Sequence, residues 1–281
     1  MEIARTVADL RKQIASWRKD DERIGLVPTM GALHQGHMAL VGAARAECDR
    51  VVASIFVNPK QFAPTEDLGS YPRREAADLE MLRSAGADLV FIPVLDEMYP
   101  PDFATLVRVS GLTEGLCGAH RAGHFDGVTT VVTKLLIQAL PDIAYFGEKD
   151  YQQLIVVRRL ARDLNMPVSI AGVPTVREAD GLALSSRNLY LSAHERRIAP
   201  KLARVLRSVA VALARDPTAV AQETARGWAA LQEAGFTVEY LEIREAETLA
   251  VTTEVTASSR VFAAACLSKT RLIDNIPIAR D

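Results

Sequence analysis

The sequence predicts an α/β protein with a doubly wound parallel sheet, followed by a second, smaller α+β domain. Over the first two-thirds of the chain, short runs rich in β-branched residues alternate with amphipathic stretches, which is typical of successive β-α units. After about residue 175 the pattern changes to two long amphipathic segments and then strand-like runs. We therefore expect one domain over residues 1–175 and another over residues 176–281.

The first domain is predicted to contain five strands that feed one sheet. They are short apolar runs bounded by polar or turn-forming residues, at 24–28, 51–57, 88–93, 142–147 and 168–173. Apolar residues recur at helical spacing over 36–50 and 150–165, so helices are predicted there. Each of these helices directly follows a strand. Ligands of doubly wound sheets bind at this edge, against helix N-termini.

The second domain is predicted to open with a loop and to continue with helices. Residues 178–188 are loop-like, and amphipathic helices are predicted over 193–215 and 218–235. Strand-like runs follow at 238–245 and 260–273.

In the first domain, the segment 58–72 is rich in proline and polar residues, which predicts an ordered functional loop.

Composition and charge are those of a water-soluble globular protein. The chain has 33 Lys and Arg against 35 Asp and Glu, so its net charge of -2 does not indicate a nucleic-acid partner. The N-terminus lacks the features of a signal peptide, and no stretch is apolar enough to span a bilayer. Cys48, Cys117 and Cys266 lie far apart, which argues against a disulfide framework or a zinc ribbon. We expect a cytoplasmic protein.

Residues 28–37, PTMGALHQGH, carry the first functional signal. They join a strand to a helix through Gly31, and exposed backbone N–H groups at such a helix start favour an anion. His34 and His37, one turn apart, can donate hydrogen bonds to the oxygens of that anion, so phosphate is the predicted ligand. Two other interpretations stay open. The histidines could bind zinc, although no further ligand cluster stands at the right spacing, or they could cap and pack the helix.

A resemblance to known proteins extends this prediction. PTMGALHQGH resembles the phosphate-binding signature of the nucleotidylyltransferase and class I aminoacyl-tRNA synthetase superfamily. Three further blocks, at 54–73, 121–154 and 176–192, resemble the pantothenate synthetase (pantoate–β-alanine ligase) family in order and spacing. The resemblance implies a Rossmann-like fold and an ATP-dependent condensation of pantoate with β-alanine. The implied route runs through a pantoyl adenylate and releases AMP and pyrophosphate.

The resemblance also implies roles for individual residues. The implied catalytic residues are His34, His37, Lys149, Ser185, Ser186 and Arg187. The implied ATP-binding residues are Pro28, Thr29, Met30, His34, Gly36, His37, Gly147, Lys149, Asp150, Val176, Leu184, Ser185, Ser186 and Arg187. Met30, Gln61 and Gln153 are expected to bind pantoate. Asn58, Tyr71 and Arg121 are further candidates for contacts with β-alanine or another substrate.

Each of these residue types also has a commoner, purely structural role. Lys149 follows a strand, where its ammonium can reach phosphates, but most lysines are solvated surface residues. Asp150 could cap the following helix or accept from ribose hydroxyls. The segment 184–187 could close over the β and γ phosphates, or could be a simple turn that leads into a helix.

Two positions depart from the family pattern. Leu184 stands where methionine is expected beside the adenine, and the acidic pair expected after residue 73 is reduced to Asp78, with Ala77 beside it. Mg²⁺ is expected because the repulsion within the ATP phosphates must be offset, and it usually binds through one carboxylate, phosphates and waters. Asp78 is the candidate ligand, through phosphates or water.

Two alternative functions stay open. A nucleotidylyltransferase would transfer AMP to a phosphate acceptor, and a non-enzymatic module would bind ATP without turnover. A P-loop NTPase and a dinucleotide oxidoreductase are excluded, because neither G-x-x-x-x-G-K-[ST] nor G-x-G-x-x-G occurs. The resemblance further implies a homodimer that acts on small molecules, with no nucleic-acid or membrane partner.

Overall fold

A computed structural model describes residues 1–64 and 66–279, in which two sheets are present. The larger sheet has six parallel strands in the order β1-β4-β3-β2-β5-β6. Its strands are Glu2–Ala4 (β1), Ile24–Thr29 (β2), Arg50–Ile55 (β3), Leu89–Phe91 (β4), Ile143–Gly147 (β5) and Ser169–Val173 (β6). The five predicted strands are therefore confirmed. β1 was missed because three residues are too few to show a periodic pattern.

Helices cover both faces of this sheet, which confirms the doubly wound class. They are Val7–Arg18 (α1), Gln35–Glu47 (α2), Glu75–Ser84 (α3), Leu95–Met98 (α4), Cys117–His120 (α5), His124–Ala139 (α6) and Tyr151–Asp163 (α7). Successive strand residues point to opposite faces, so Leu26 packs in one apolar cluster with α1, α6 and α7. Its neighbour Val27 packs in another cluster with α2.

After β6, the described residues up to 279 form three α-helices and an antiparallel sheet. The helices are Ala193–Ile198 (α8), Lys201–Arg215 (α9) and Val220–Glu233 (α10). The strands, in the order β7-β8-β9, are Thr237–Glu245, Ser259–Leu267 and Thr270–Pro277. They enclose a third apolar cluster, which contains Leu206, Leu231 and Val261. The smaller α+β unit is thus confirmed, while the boundary at residue 175 stays a prediction.

Two predicted elements of this region were wrong in detail. The helix predicted over 193–215 is divided, because Pro200 has no N–H to continue the hydrogen bonds of α8 and instead directly precedes α9. The strand predicted over 260–273 is a hairpin that turns at Ser268 and Lys269. Ser268 adopts a left-handed φ of 49°, and neither residue is a glycine or asparagine that would have signalled the turn.

None of the helices in the described ranges is long and apolar enough to cross a bilayer.

Candidate active site

A cleft of about 250 Å³ lies at the carboxyl ends of β2 and β5. All but one of the predicted site residues line it, although they come from four separate sequence blocks. The predicted residues found there are Pro28, Thr29, Met30, His34, Gly36, His37, Asn58, Gln61, Tyr71, Arg121, Gly147, Lys149, Asp150, Gln153, Val176, Leu184, Ser185, Ser186 and Arg187. The exception is Asp78. The sequence blocks therefore meet at one place in the fold.

The two histidines of the first motif cap α2. Nδ1 of His34 accepts the N–H of Gly36 at 3.1 Å, and Nδ1 of His37 accepts the N–H of His34 at 3.3 Å. The rings lie against each other, with centroids 4.1 Å apart. Because Nδ1 of each ring is an acceptor, a neutral imidazole at either position carries its proton on Nε2. The capping role left open by the sequence is thus compatible with donation to a ligand.

Burial and a nearby cation keep both imidazoles neutral. Burial, with a smaller contribution from the Lys149 ammonium, lowers the pKa of His34 to about 4. Burial also lowers the pKa of His37 to about 3, with further contributions from His34 and Lys149. Near neutral pH, both rings are therefore uncharged N–H donors. The shared influence of Lys149 reflects the pairing of β2 with β5, which brings the turns that follow them together.

Asp78 supports the turn that precedes the histidines. It is 2% exposed, and its two carboxylate oxygens accept the N–H groups of Ala32 and Leu33 at 2.9 and 2.8 Å. Gly31, at a left-handed φ of 81°, leaves room for it, because a Cβ there would lie 2.9 Å from Asp78 Oδ2. Among the described residues, no cluster of three or more His, Cys, Asp or Glu could hold a metal ion. The magnesium role of Asp78 stays a prediction.

Lys149 and Asp150 lie in a short 3₁₀ turn directly after β5. The Lys149 side chain is 18% exposed, and its Nζ lies 3.8 Å from Asp150 Oδ2. Asp150 stands at the N-cap of α7 but makes no capping hydrogen bond through its side chain within the described ranges. Its carboxylate can therefore accept from a ligand at the mouth of the cleft.

A chain of hydrogen bonds orients the amide of Gln61. The Tyr99 hydroxyl donates to Asn58 Oδ1 at 2.9 Å, and Asn58 Nδ2 donates to Gln61 Oε1 at 3.0 Å. Asn58 is 1% exposed and also donates to the carbonyl of Gly127. Since the oxygen of Gln61 is engaged, its NH₂ is the group suited to a ligand oxygen. Asn58 thus supports Gln61, whether or not it also touches substrate.

Two arginines of the cleft are paired with one acidic segment. Arg121 makes two 2.7 Å contacts with the carboxylate of Glu66, and Arg187 pairs with Asp67 at 2.8 and 3.1 Å. Ser186 Oγ donates to the carbonyl of Ala32 at 3.0 Å, which ties residues 185–187 to the histidine turn. Glu66 and Asp67 fall in the predicted functional loop 58–72, of which position 65 lies outside the described residues.

His124 is a cleft residue that sequence reasoning missed. Arginine only donates, so the contact of 2.9 Å from Arg121 makes His124 Nε2 an acceptor, and Nδ1–H donates to the Gln61 carbonyl at 2.9 Å. Burial lowers its pKa to about 4, and Arg121 adds to this shift. His124 thereby links Arg121 to the backbone of Gln61. Its position three residues after Arg121, at the start of α6, is the feature of the sequence that could have indicated His124 as a cleft residue.

The apolar wall of the cleft was also missed. It comes from one face of α6, at Val128, Val131, Val132 and Leu135. Their spacing is that of a helix face, which sequence alone assigns equally well to the core.

Comparison with known proteins identifies the family of the chain. Residues 2–277 match the model of the family described as pantoate-beta-alanine ligase. The chain is 56% identical to the pantothenate synthetase of Dinoroseobacter shibae over 281 residues, which cover 99% of both chains.

Solved structures give the same result. The crystal structure of pantothenate synthetase from Thermus thermophilus superposes with a TM-score of 0.94 at 49% identity, over 99% of this chain and 100% of that one. Pantoate-beta-alanine ligase from Francisella tularensis, solved in complex with β-γ ATP and β-alanine, superposes with a TM-score of 0.81 at 34% identity, over 99% and 98% of the chains. Because the family model and these relatives match nearly end to end, the chain belongs to the pantoate–beta-alanine ligase family.

Proposed function

We propose that this protein condenses pantoate with β-alanine in two steps, through a pantoyl adenylate formed from ATP. The overall ATP-dependent reaction follows from membership of the family. A free carboxylate is a poor acylating agent because it has no good leaving group, whereas an acyl adenylate releases AMP readily. The observation that carries the proposal is the convergence of His34, His37, Lys149 and the 185–187 segment on one cleft.

In the first step, the pantoate carboxylate attacks the α-phosphorus of ATP, and negative charge grows on the departing pyrophosphate. The Nε2–H groups of His34 and His37 and the ammonium of Lys149 act as fixed donors to that charge. Gln61 and Gln153 hold pantoate through their amides. Because Asn58 engages the Gln61 oxygen, the Gln61 NH₂ donates to a hydroxyl or carboxylate oxygen of pantoate.

The nucleotide spans the edge of the parallel sheet. We assign the ribose to the Asp150 carboxylate and the backbone of Gly147, and the adenine to Met30, Val176 and Leu184. The side chains of Ser185, Ser186 and Arg187 serve the β and γ phosphates. Arg187 is paired with Asp67 in this structure, so binding a phosphate requires it to exchange or share that partner.

In the second step, the amine of β-alanine attacks the acyl carbonyl and AMP departs. Positioning supplies most of the rate increase, because it replaces a bimolecular encounter with a held geometry. Arg121 is paired with Glu66 in this structure, so binding the β-alanine carboxylate requires its guanidinium to exchange or share that partner. Tyr71 is a second candidate contact. Both residues line the same cleft as Gln61.

Mg²⁺, when bound, would offset the negative charge of the ATP phosphates. Asp150 is the acidic side chain among the described residues that line the cleft, and both oxygens of Asp78 already accept backbone N–H groups. This donor set fits a Mg²⁺ ion that is coordinated mainly by ATP phosphates and waters, with few protein ligands.

We also propose that the protein is a cytoplasmic homodimer. Sedimentation equilibrium at micromolar concentration should give twice the monomer mass.

Pyrophosphate exchange tests the two-step route. With pantoate and ATP but no β-alanine, labelled pyrophosphate should exchange into ATP, because the adenylate forms reversibly. AMP release should be measured with pantoate alone, with β-alanine alone and with both, and sustained turnover should need both. Absence of exchange in protein that makes pantothenate would refute the adenylate route. A stable dinucleotide product would instead support the nucleotidylyltransferase alternative.

A further inference from the structure

Asn275 connects the C-terminal sheet to the turn that carries Lys149. It lies in β9 and is 3% exposed. Its Nδ2 donates to two consecutive backbone carbonyls, those of Glu148 at 2.8 Å and Lys149 at 3.0 Å. A single amide from the other sheet therefore holds both peptide units next to the Lys149 side chain.

Arg260 fixes the orientation of this amide. Its Nε and Nη2 both donate to Asn275 Oδ1, at 3.0 and 2.7 Å. Because a guanidinium has no acceptor, the oxygen of Asn275 must face Arg260 and the NH₂ must face the carbonyls. Arg260 is itself held: its guanidinium lies 3.9 Å from the centre of the Tyr151 ring and 3.8 Å from the Glu148 carboxylate.

The residue before Asn275 anchors the strand. Asp274 accepts the backbone N–H of Asn275 at 2.8 Å and pairs with Arg177 through contacts of 2.6 and 2.9 Å. The support of the Lys149 turn is therefore a buried, hydrogen-bonded network. The turn itself is a 3₁₀ segment of three residues, and it lacks a side-chain cap at its start within the described part of the chain.

We propose that Asn275 is a positioning residue for the ligase reaction, which fixes the backbone of Lys149 so that its ammonium meets the charge developing on the ATP phosphates. The inference rests on the proposed role of Lys149. A lysine has four rotatable bonds, so the position of its ammonium depends on where its backbone is held. Misplacement of a catalytic group by about 1 Å can cost on the order of 100-fold in rate.

The variant Asn275→Asp replaces the NH₂ that donates the two hydrogen bonds with a carboxylate oxygen. It preserves the size of the side chain and an oxygen for Arg260, but it removes both donors to the carbonyls. We expect kcat to fall about 10- to 100-fold and KM for pantoate to change less than about 3-fold. The reason is that a misplaced Lys149 ammonium weakens stabilisation of the transition state more than binding of pantoate. Asn275→Ala, which has no side-chain donor, replaces it if the aspartate variant does not fold.

Leu267→Ala is the matched control. Leu267 is buried in the same sheet, in β8, and packs in the C-terminal apolar cluster. The control should lower the unfolding temperature but leave kcat and KM unchanged at a temperature where the protein is folded. An equal loss of kcat in this control would mean that Asn275 acts through general stability, and it would overturn the proposal.

A double-mutant cycle separates the proposal from its premise. If Asn275 acts through Lys149, then Asn275→Asp should reduce kcat less than about 3-fold in a Lys149→Ala background. Full multiplication of the two effects, or normal kcat in Asn275→Asp alone, would overturn the positioning role while leaving Lys149 in the mechanism. Normal turnover in Lys149→Ala would overturn the role of Lys149 and the inference with it.

Discussion

At the scale of single residues, His34 and His37 each have a structural role in capping α2 and a proposed role as donors to the substrate. One ring nitrogen of each histidine caps α2, and the other is left as the donor. The sequence singled out the pair from H-x-x-H after a strand and a glycine turn, and the phosphate role that it predicted stays a prediction. It could not predict the tautomer, because the tautomer depends on which backbone N–H each ring accepts.

Replacing His34 can separate these two functions. His34→Asn keeps an oxygen that can cap α2 but lacks the Nε2–H, whereas His34→Ala loses both. We expect both variants to lower kcat by about 100- to 1,000-fold, as loss of a donor to a developing charge does. His34→Ala alone should also lose about 1 kcal/mol of stability. Steady-state assays and urea unfolding measure the two effects; near-normal kcat in His34→Asn would exclude the donor role.

The depressed pKa of His37 predicts a dependence of stability on pH. Its pKa is about 3 in the folded protein and about 6.5 in an unfolded chain, so the unfolded state binds the proton first as the pH falls. This contribution to stability is complete above pH 6.5 and is lost as the pH falls toward 3. We expect His37 to account for about 1 to 2 kcal/mol of lost unfolding free energy between pH 7.5 and pH 5.

His37→Gln is the comparison for that measurement. Glutamine does not titrate and can still reach back to the N-cap backbone from the third helical position. Urea unfolding at the two pH values should give a smaller difference for this variant than for the parent protein. Equal pH dependence of the two proteins would contradict the low pKa of His37.

At the scale of elements, α6 positions the end of the cleft that we propose for pantoate. Its Gly127 faces the short turn of Pro59–Gln61, where an added Cβ would lie 2.2 Å from the carbonyl oxygen of Lys60 and 2.5 Å from the backbone nitrogen of Gln61. Those atoms belong to the backbone, so they cannot move aside as a flexible side chain would. The glycine allows Asn58 and Gln61 to approach the helix.

Gly127→Ala should therefore displace Gln61. We expect KM for pantoate to rise about 10-fold or more, since overpacking of this kind costs about 1 to 3 kcal/mol. Gly42→Ala in α2 is the control, because a Cβ at Gly42 meets nothing within 4 Å. Steady-state kinetics with varied pantoate measure the effect, and an unchanged KM in Gly127→Ala would show that this contact does not position Gln61.

The elements differ in how far the sequence could predict them. The central strands were predictable because they are continuous apolar runs, and α2 and α7 because their apolar residues recur at helical spacing. The hairpin at Ser268 was not, since its turn lacks the usual glycine or asparagine. The support that Asp78 gives to the histidine turn and the link through His124 depend on contacts between distant segments, which no local pattern shows.

At the scale of the whole molecule, the buried pair of Arg177 and Asp274 joins the segment after β6 to the C-terminal sheet. The Asp274 side chain is 2% exposed and that of Arg177 is 19% exposed. Removing one member leaves the other charge buried and unpaired, which is more costly than removing both.

We expect Arg177→Met to lower the free energy of unfolding by about 3 kcal/mol, and the double variant with Asp274→Asn to recover part of that loss. Arg83→Met is the control, because Arg83 and Glu80 form an exposed pair that contributes little. Urea unfolding compares the variants. A double variant no more stable than Arg177→Met would argue against an unpaired buried charge as the cause.

The pairing of β2 with β5 also bears on how the protein folds. Ile24 donates its N–H to Asp142 at 2.6 Å across a separation of 118 positions. Closing so long a loop carries a large entropic cost, and chains dominated by such distant contacts fold slowly. The turn that precedes His34 and the turn that carries Lys149 come together only after β5 has paired with β2. Affinity for nucleotide should therefore emerge late in refolding and report the completion of the central sheet.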